Sequence, residues 1–376
     1  MQRLARPPRP DWRSHVERDL GFVFHTTDGA PYWDETCCYV LTAGEVDALE
    51  AATGVLEQMC LELVDRVVKA GDAAYDRLFI PRPAREAIEH SWTAGEKSLY
   101  GRFDLRFDGN GPPQLLEYNA DTPTALFEAA VVQWDWLEAL QPGSDQFNSL
   151  HEKLIQAWQR FGFGRTRVYF SAVKDDAEDG GTVEYLRDTA VQAGLDTARI
   201  AVEDIGWDGG RFLDLDNVPI DALFKLYPWE WIVGEEFGQH LLSGAVRVIE
   251  PAWKMVLSNK AALPLLWEMA PNHPNLLPSA LEPGGIEGAV VRKPIFGREG
   301  ANVQVIEGNR VVAETGGGYG AEGFVYQAHA PLPAFDGNYP VIGAWVVASQ
   351  PAGVGIREDS TAITRDTSRF VPHFFR

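Results

Sequence analysis

The chain has 376 residues, 45% hydrophobic and 23% charged, with a formal net charge of −21 at pH 7. That composition suits a globular fold of two or three subdomains. It argues against a nucleic-acid partner, because neutralising phosphates needs a basic surface, and the acidity favours cationic partners such as amines.

In chain order, the residues up to about Asp11 are rich in Arg and Pro and read as a loosely attached arm. No apolar run is long enough to span a bilayer and no charged-then-apolar leader follows Met1, so a soluble cytoplasmic protein without membrane contact is expected. Thr42 with Glu45 three residues on is a capping box. Val46, Leu49, Leu56, Met59, Leu63 and Val67 follow at helical spacing and Gly71 ends the run, which predicts a scaffold helix. Cys60 falls on that helix, and Cys37 and Cys38 are adjacent. Three such cysteines make no disulfide framework and suit a reducing compartment.

Tyr100 to Thr124 (YGRFDLRFDGNGPPQLLEYNADTPT) is the densest stretch. Alternation over Arg102–Phe107 puts Arg102 and Asp104 on one strand face and Phe103, Leu105 and Phe107 on the other. Asp108-Gly109-Asn110-Gly111 is a turn signal, and the returning strand puts Glu117 and Asn119 on a shared face. Hard oxygen ligands beside a guanidinium suit Mg²⁺ shared with substrate phosphates; a solvated hairpin is the alternative. Thr122-Pro123 reads as N-cap and first helical position, with Thr124 adding a hydroxyl. The free N–H groups of that helix would favour an anion such as a carboxylate or acyl phosphate.

A helix near 151–161 precedes a strand at 167–172, an amphipathic helix at 182–194, and strands at 198–203 and 222–226. This alternation predicts a small doubly wound subdomain over about 165–245. A strand at 248–249, a helix at 260–269 and strands at 289–294, 303–306, 324–327 and 341–348 then predict a mainly antiparallel sheet. Lys260 stands near a helix start, Lys293 in a strand, and Gly297, Arg298 and Gly300 in the loop IFGREGAN. Backbone N–H groups of a glycine loop cradle phosphates and lysines add point charges. Neither a P-loop nor a Rossmann fingerprint occurs. Gln327 ends a strand where an adenine could be read, or is a buried amide satisfied by backbone.

The order RFD…EYNADTPT…PWEW…NKAALPLLWEM…VRKPIFGREG…YQ…IRED resembles the synthetase domain of the glutathionylspermidine synthetase family, and more closely its stand-alone acid–amine ligase relatives. The resemblance covers nearly the whole chain and implies an α+β / α/β protein of ATP-grasp fold with an inserted small pre-ATP-grasp-like α/β subdomain. It implies residues 1–164 as helical segment and metal hairpin, 165–245 as the inserted unit, and 246–376 as the remaining lobes. It implies ATP and Mg²⁺ activating a carboxylate as an acyl phosphate that an amine attacks.

Carried over, Arg102 reaches the acyl phosphate; Asp104, Glu117 and Asn119 hold Mg²⁺; Thr122 and Thr124 lie near the acid; Lys260 and Lys293 bind phosphate; Arg298 contacts acid or phosphate; and Gln327 faces adenine. Glu178, Thr182 and Arg357 are further substrate contacts, and Asp121, Glu235 or Glu236 are candidates to recruit the amine. The bifunctional members' amidase domain has no room here, so Cys37 and Cys38 are not read as its nucleophile, and glutathione as the acid is doubtful. The competing readings are a metal-dependent phosphohydrolase and a silent nucleotide-binding module. A homodimer is only the base-rate expectation.

Overall fold

The capping box at Thr42 forms in the computed structural model, which describes every residue except Asp28 and Asp366. The Thr42 hydroxyl accepts from the Glu45 N–H at 3.2 Å and the Glu45 carboxylate accepts from the Thr42 N–H at 2.8 Å. The helix Ala43–Ala70 follows and stops at Gly71, whose φ of 68° suits a residue without Cβ. Its Leu49, Leu56, Cys60 and Val64 are wholly buried and join a core shared with Phe103, Leu105 and Ile342. Burying each leucine of that kind contributes about 1.5–3 kcal/mol.

The core sheet has the order Arg369–Val371, Gln350–Asp359, Tyr339–Val347, Tyr100–Arg106, Gln114–Asn119, with every neighbouring pair antiparallel. A second antiparallel sheet runs Ser279–Ala280, Phe324–Ala328, Val290–Pro294, Gln304–Glu307, Arg310–Glu314. The single antiparallel sheet expected from 289 to 348 is therefore two. Tyr339–Val347 is almost entirely buried and pairs with the hairpin, Trp345 opposite Arg102. A strand apolar on both faces carries no period that names its partner.

A parallel sheet of Arg247–Ile249, Ala222–Lys225, Val168–Ala172 and Thr197–Ala201 packs against the helix Ala177–Gln192. That helix begins five residues before the expected Thr182, because Asp176 caps it by accepting from the Asp179 N–H at 2.9 Å. The amino-terminal arm is not loose. Gln2–Ala5 pairs with Cys37–Leu41, Arg3 donates to Glu358 at 2.8 Å, and Arg9 bridges Glu35 at 2.7 Å and Asp135 at 2.6 Å. Cys37 and Cys38 are buried, and burial beside Glu358 pushes the Cys37 thiol up to about 12, which makes it a poor nucleophile. Among the described residues no helix is long and apolar enough to cross a membrane.

Candidate active site

The hairpin Tyr100–Arg106/Gln114–Asn119 sets Arg102 opposite Asn119 and Asp104 opposite Glu117. Period two then delivers all four side chains to one face. The Arg102 Nε donates to Asp104 at 2.8 Å, its Nη1 to the Thr124 carbonyl at 2.6 Å, and the Asn119 amide to Asp104 at 3.3 Å. From the other tract, Lys260 Nζ lies 3.1 Å from the Glu117 carboxylate, and Lys293 Nζ donates to the Leu116 carbonyl at 2.9 Å. The acidic hairpin and the lysine-bearing sheet thus face one another. Between them lies a cleft of about 800 Å³ lined by Asp104, Glu117, Lys260, Lys293, Gly297 and Gly300, with Val291, Val303 and Leu332 among its apolar walls.

A second chamber of about 610 Å³ shares Glu117, Lys260 and Gly297 with the first and adds Asn119, Thr122, Glu230 and Arg298. Arg298 spans it, donating to Glu230 at 2.5 Å and to the Thr122 hydroxyl at 3.0 Å. The loop below is held by Lys260, which donates to the Gly297 carbonyl at 2.5 Å. Gly300 sits at φ +67°, and a Cβ there would stand 2.1 Å from the Thr364 carbonyl oxygen, so only glycine fits. Arg357 lines a smaller cavity of about 290 Å³ with Arg102, Asp104 and Ala125.

The cleft carries both signs of charge. Burial would raise the Glu117 carboxyl, but Lys260 and Lys293 overcome it and hold the group at about 2. Burial brings Lys293 down to about 8, with Glu117 opposing the change and Lys260 adding to it. Burial also works against Arg102, yet Asp104 and Glu117 raise it. Asp104, Glu117 and Asn119 supply hard oxygen atoms on paired strands at the cleft, a donor set of the kind Mg²⁺ takes.

Three expectations change. Gln327 does not face the cleft: at 2% exposure, its Oε1 accepts from Lys293 at 2.7 Å and its Nε2 donates to the Leu115 carbonyl at 3.1 Å, so it braces the lysine. Thr182 is fully buried one turn behind Glu178 and does not line the cleft. Thr122 does not cap a helix. Helical structure starts at Leu126, because Ala125 has φ +64° and the Thr124 carbonyl is taken by Arg102. Glu178 is half-buried and raised from its ordinary value by burial.

Asp121 borders the second chamber, but its carboxylate is already paired. It is 1% exposed, accepts from Lys225 at 2.7 Å and from the Trp229 N–H at 2.9 Å, and ties the hairpin exit to the parallel sheet. Glu230, the partner of Arg298, was missed, although it sits between the two tryptophans of PWEW. A lone lysine in the apolar strand ALFKL was the available sign of the Lys225–Asp121 pair.

The architecture is that of a mixed α/β protein. It superposes on the apo structure of a glutathione synthetase-like effector from Globodera pallida with a TM-score of 0.52 at 10% identity, covering 90% of this chain and 89% of that one, a likeness of fold. The family model for glutathionylspermidine synthase preATP-grasp matches residues 3–376, and the chain belongs to that family. A Haemophilus influenzae protein with the provisional name acid–amine ligase is 44% identical over 98% of both chains. Trypanothione synthetase from Crithidia fasciculata is 31% identical over 78% of this chain and 50% of its own length. The bifunctional glutathionylspermidine synthetase/amidase of Escherichia coli is 27% identical over 89% of this chain and 58% of its own. The chain thus spans about half the length of these two longer relatives.

Proposed function

We propose that the chain is an ATP-dependent carbon–nitrogen ligase of ATP-grasp fold, joining a carboxylate such as a glutathione-like peptide acid to a polyamine-like amine through an acyl phosphate. The observation that carries this reading is the approach of two distant tracts across one cleft: Lys260 at 3.1 Å from Glu117 and Lys293 at 2.9 Å from the Leu116 carbonyl. In this reading residues 1–164 supply the hairpin, 165–245 the inserted α/β unit, and 246–376 the lysines and glycine loop.

The roles in this reading are as follows. Lys260 and Lys293 take the triphosphate, and Gly297 and Gly300 of the glycine loop line the same cleft. Arg102 faces the γ-phosphoryl group as a carboxylate oxygen attacks phosphorus and ADP departs. Arg298 and Arg357, with Thr122 and Thr124, hold the acid. Asp104, Glu117 and Asn119 would hold Mg²⁺, which supplies charge neutralisation at the phosphoryl oxygens when bound. The loop at 296–302 closes over the acyl phosphate and keeps water out.

The test is phosphate release across a matrix of acids and amines, with mass spectrometry of the product. An amide formed in step with ADP is expected, and Glu117→Ala should lower turnover on the order of 10²-fold. Steady ATP breakdown without an amide would make the protein a phosphohydrolase, and nucleotide binding without turnover a silent module.

A further inference from the structure

The parallel sheet runs in the order Thr197–Ala201, Val168–Ala172, Ala222–Lys225, Arg247–Ile249. The chain adds its second strand on one side of the first and its third on the other. The crevice beyond the carboxyl ends of Val168–Ala172 and Ala222–Lys225 is therefore a topological switch point, the place where open α/β sheets bind ligands. The two faces of the sheet are covered differently. Phe170, Ala172 and Phe224 pack with Val183 and Leu186 of the helix Ala177–Gln192, whereas Tyr169 and Leu223 pack with Phe212 and Leu241.

On that second face, at the carboxyl ends of the strands, lies a chamber of about 1070 Å³. It is larger than either chamber of the cleft and shares no lining residue with them. Its apolar walls include Val202, Ile205, Phe212, Leu223, Ile232 and Leu241, and Glu203, Tyr227 and Glu235 line it too. Phe212, Leu223 and Ile232 are buried while Glu203 and Glu235 are exposed, which gives the chamber an apolar floor and an acidic mouth. The Lys225–Asp121 pair closes it off from the second chamber of the cleft, since Lys225 lines the one and Asp121 the other. The helix Trp229–Gly234 divides them in the same way, with Ile232 on this side and Glu230 on the other.

The acidic mouth lacks a cation. The Glu235 carboxylate accepts from the Tyr227 hydroxyl, and the Glu203 carboxylate accepts from the backbone N–H of Lys174 at 3.2 Å. Burial and Glu235, with Glu203 adding to them, push the Tyr227 hydroxyl up to about 12. The nearby ammonium groups are engaged elsewhere: Lys174 donates to Asp204 at 2.6 Å, and Lys225 to Asp121 at 2.7 Å and to the Tyr227 carbonyl at 3.0 Å. An alkyl chain on the floor would leave water for apolar surface. A positive head would meet two carboxylates, and a negative one would be repelled.

We propose that this chamber binds a primary alkylammonium, its chain on the apolar floor and its head at Glu203 and Glu235, at a site separate from the reaction cleft. The experiment omits ATP and any acid substrate, so its outcome does not depend on the ligase reading. Calorimetric titration of the full chain at neutral pH, where an alkylamine is charged, compares n-hexylamine with hexan-1-ol and hexanoate. Hexylamine should bind, hexanol more weakly, and hexanoate not at all. Glu203→Gln combined with Glu235→Gln alters two exposed charges, and should weaken hexylamine on the order of tenfold, the worth of two exposed ion pairs. Val202→Trp enlarges a wall residue and should abolish binding while the melting temperature shows the chain folded; should it not fold, the double variant decides. Hexylamine bound undiminished by the double variant would be seated elsewhere, the reaction cleft included, and would overturn the proposal. So would hexanol or hexanoate binding as tightly as hexylamine, or no binding of hexylamine at millimolar concentration.

Discussion

Replacing Gln327 by Leu separates two ideas about the nucleotide. The side chain makes two buried hydrogen bonds, accepting from Lys293 at 2.7 Å and donating to the Leu115 carbonyl at 3.1 Å. Leucine keeps the bulk and removes both. Lys293 then has only the Leu116 carbonyl, at 2.9 Å, to fix its ammonium. A hydrogen bond to a charged group contributes about 1.5–3 kcal/mol. If ordering of Lys293 is what the triphosphate uses, the loss appears as roughly 10- to 100-fold weaker binding, since 1.4 kcal/mol is tenfold. The assay is calorimetric titration of wild type and Gln327→Leu with ATP, GTP and inorganic triphosphate. All three should weaken together, leaving the ratio of ATP to GTP affinity unchanged. A variant that binds triphosphate like wild type but loses its preference for ATP would refute this reasoning and return Gln327 to the adenine.

Two further predictions concern pH. Lys293 is brought down to about 8, and a phosphate wants it charged, so ATP affinity measured with a chelator present should fall as pH rises through 8. Binding at pH 8.5 should take up part of a proton, seen as a heat that depends on the buffer's ionisation enthalpy, and Lys293→Arg should abolish both effects. His373 is wholly buried beside Gln133, its Nδ1 at 2.9 Å from the amide oxygen, and burial lowers it to about 3. The unfolded chain, with a histidine near 6.5, binds this proton more readily than the folded one, so stability is lost as pH falls below 6.5 and continues to fall toward 3. The contribution is about 2 kcal/mol between pH 7 and pH 5. Urea unfolding of His373→Gln should lack this part of the slope; an unchanged slope would show that His373 is not the group responsible.

What could be read from the residues alone was whatever local periodicity fixes. The hairpin was legible because alternation over 102–107 and the DGNG turn set both the strand faces and their reversal, and with them the Arg102, Asp104, Glu117 and Asn119 constellation. Lys293 was placed on a strand leading into the glycine loop. What was not legible depends on partners distant in sequence. Arg3 reaches Glu358, 355 residues away, and nothing near Arg3 announces that the arm is tied down. Gln327 at a strand end reads the same whether its amide meets a base or a lysine. The helix after Thr122 was placed too early because Pro123 is a good first helical residue, while the interception of the Thr124 carbonyl by Arg102 belongs to tertiary structure. The caps at Thr42 and Asp176 show the contrast: both are local, and only the second was overlooked, hidden in an acidic run.

The two halves of the site carry opposite charge for a physical reason. A protein of net charge −21 repels ATP at a distance, but at 0.15 M salt that field decays over about 8 Å, so affinity for a triphosphate has to be local. In the ligase reading Lys260 and Lys293 would provide it, with Glu117 as their shared carboxylate. Glu117 is also the largest influence keeping Lys293 charged against burial. Its loss would therefore do two things at once: remove an oxygen from the cation site and let Lys293 slip toward the neutral amine. Away from the cleft lining, Glu128, Glu178 and Asp179 are all raised, mainly by burial. Arg298 is bonded to Thr122 of the hairpin exit and to Glu230 of the helix Trp229–Gly234. In the ligase reading, a carboxylate arriving there would meet a guanidinium whose carboxylate partner Glu230 it could displace.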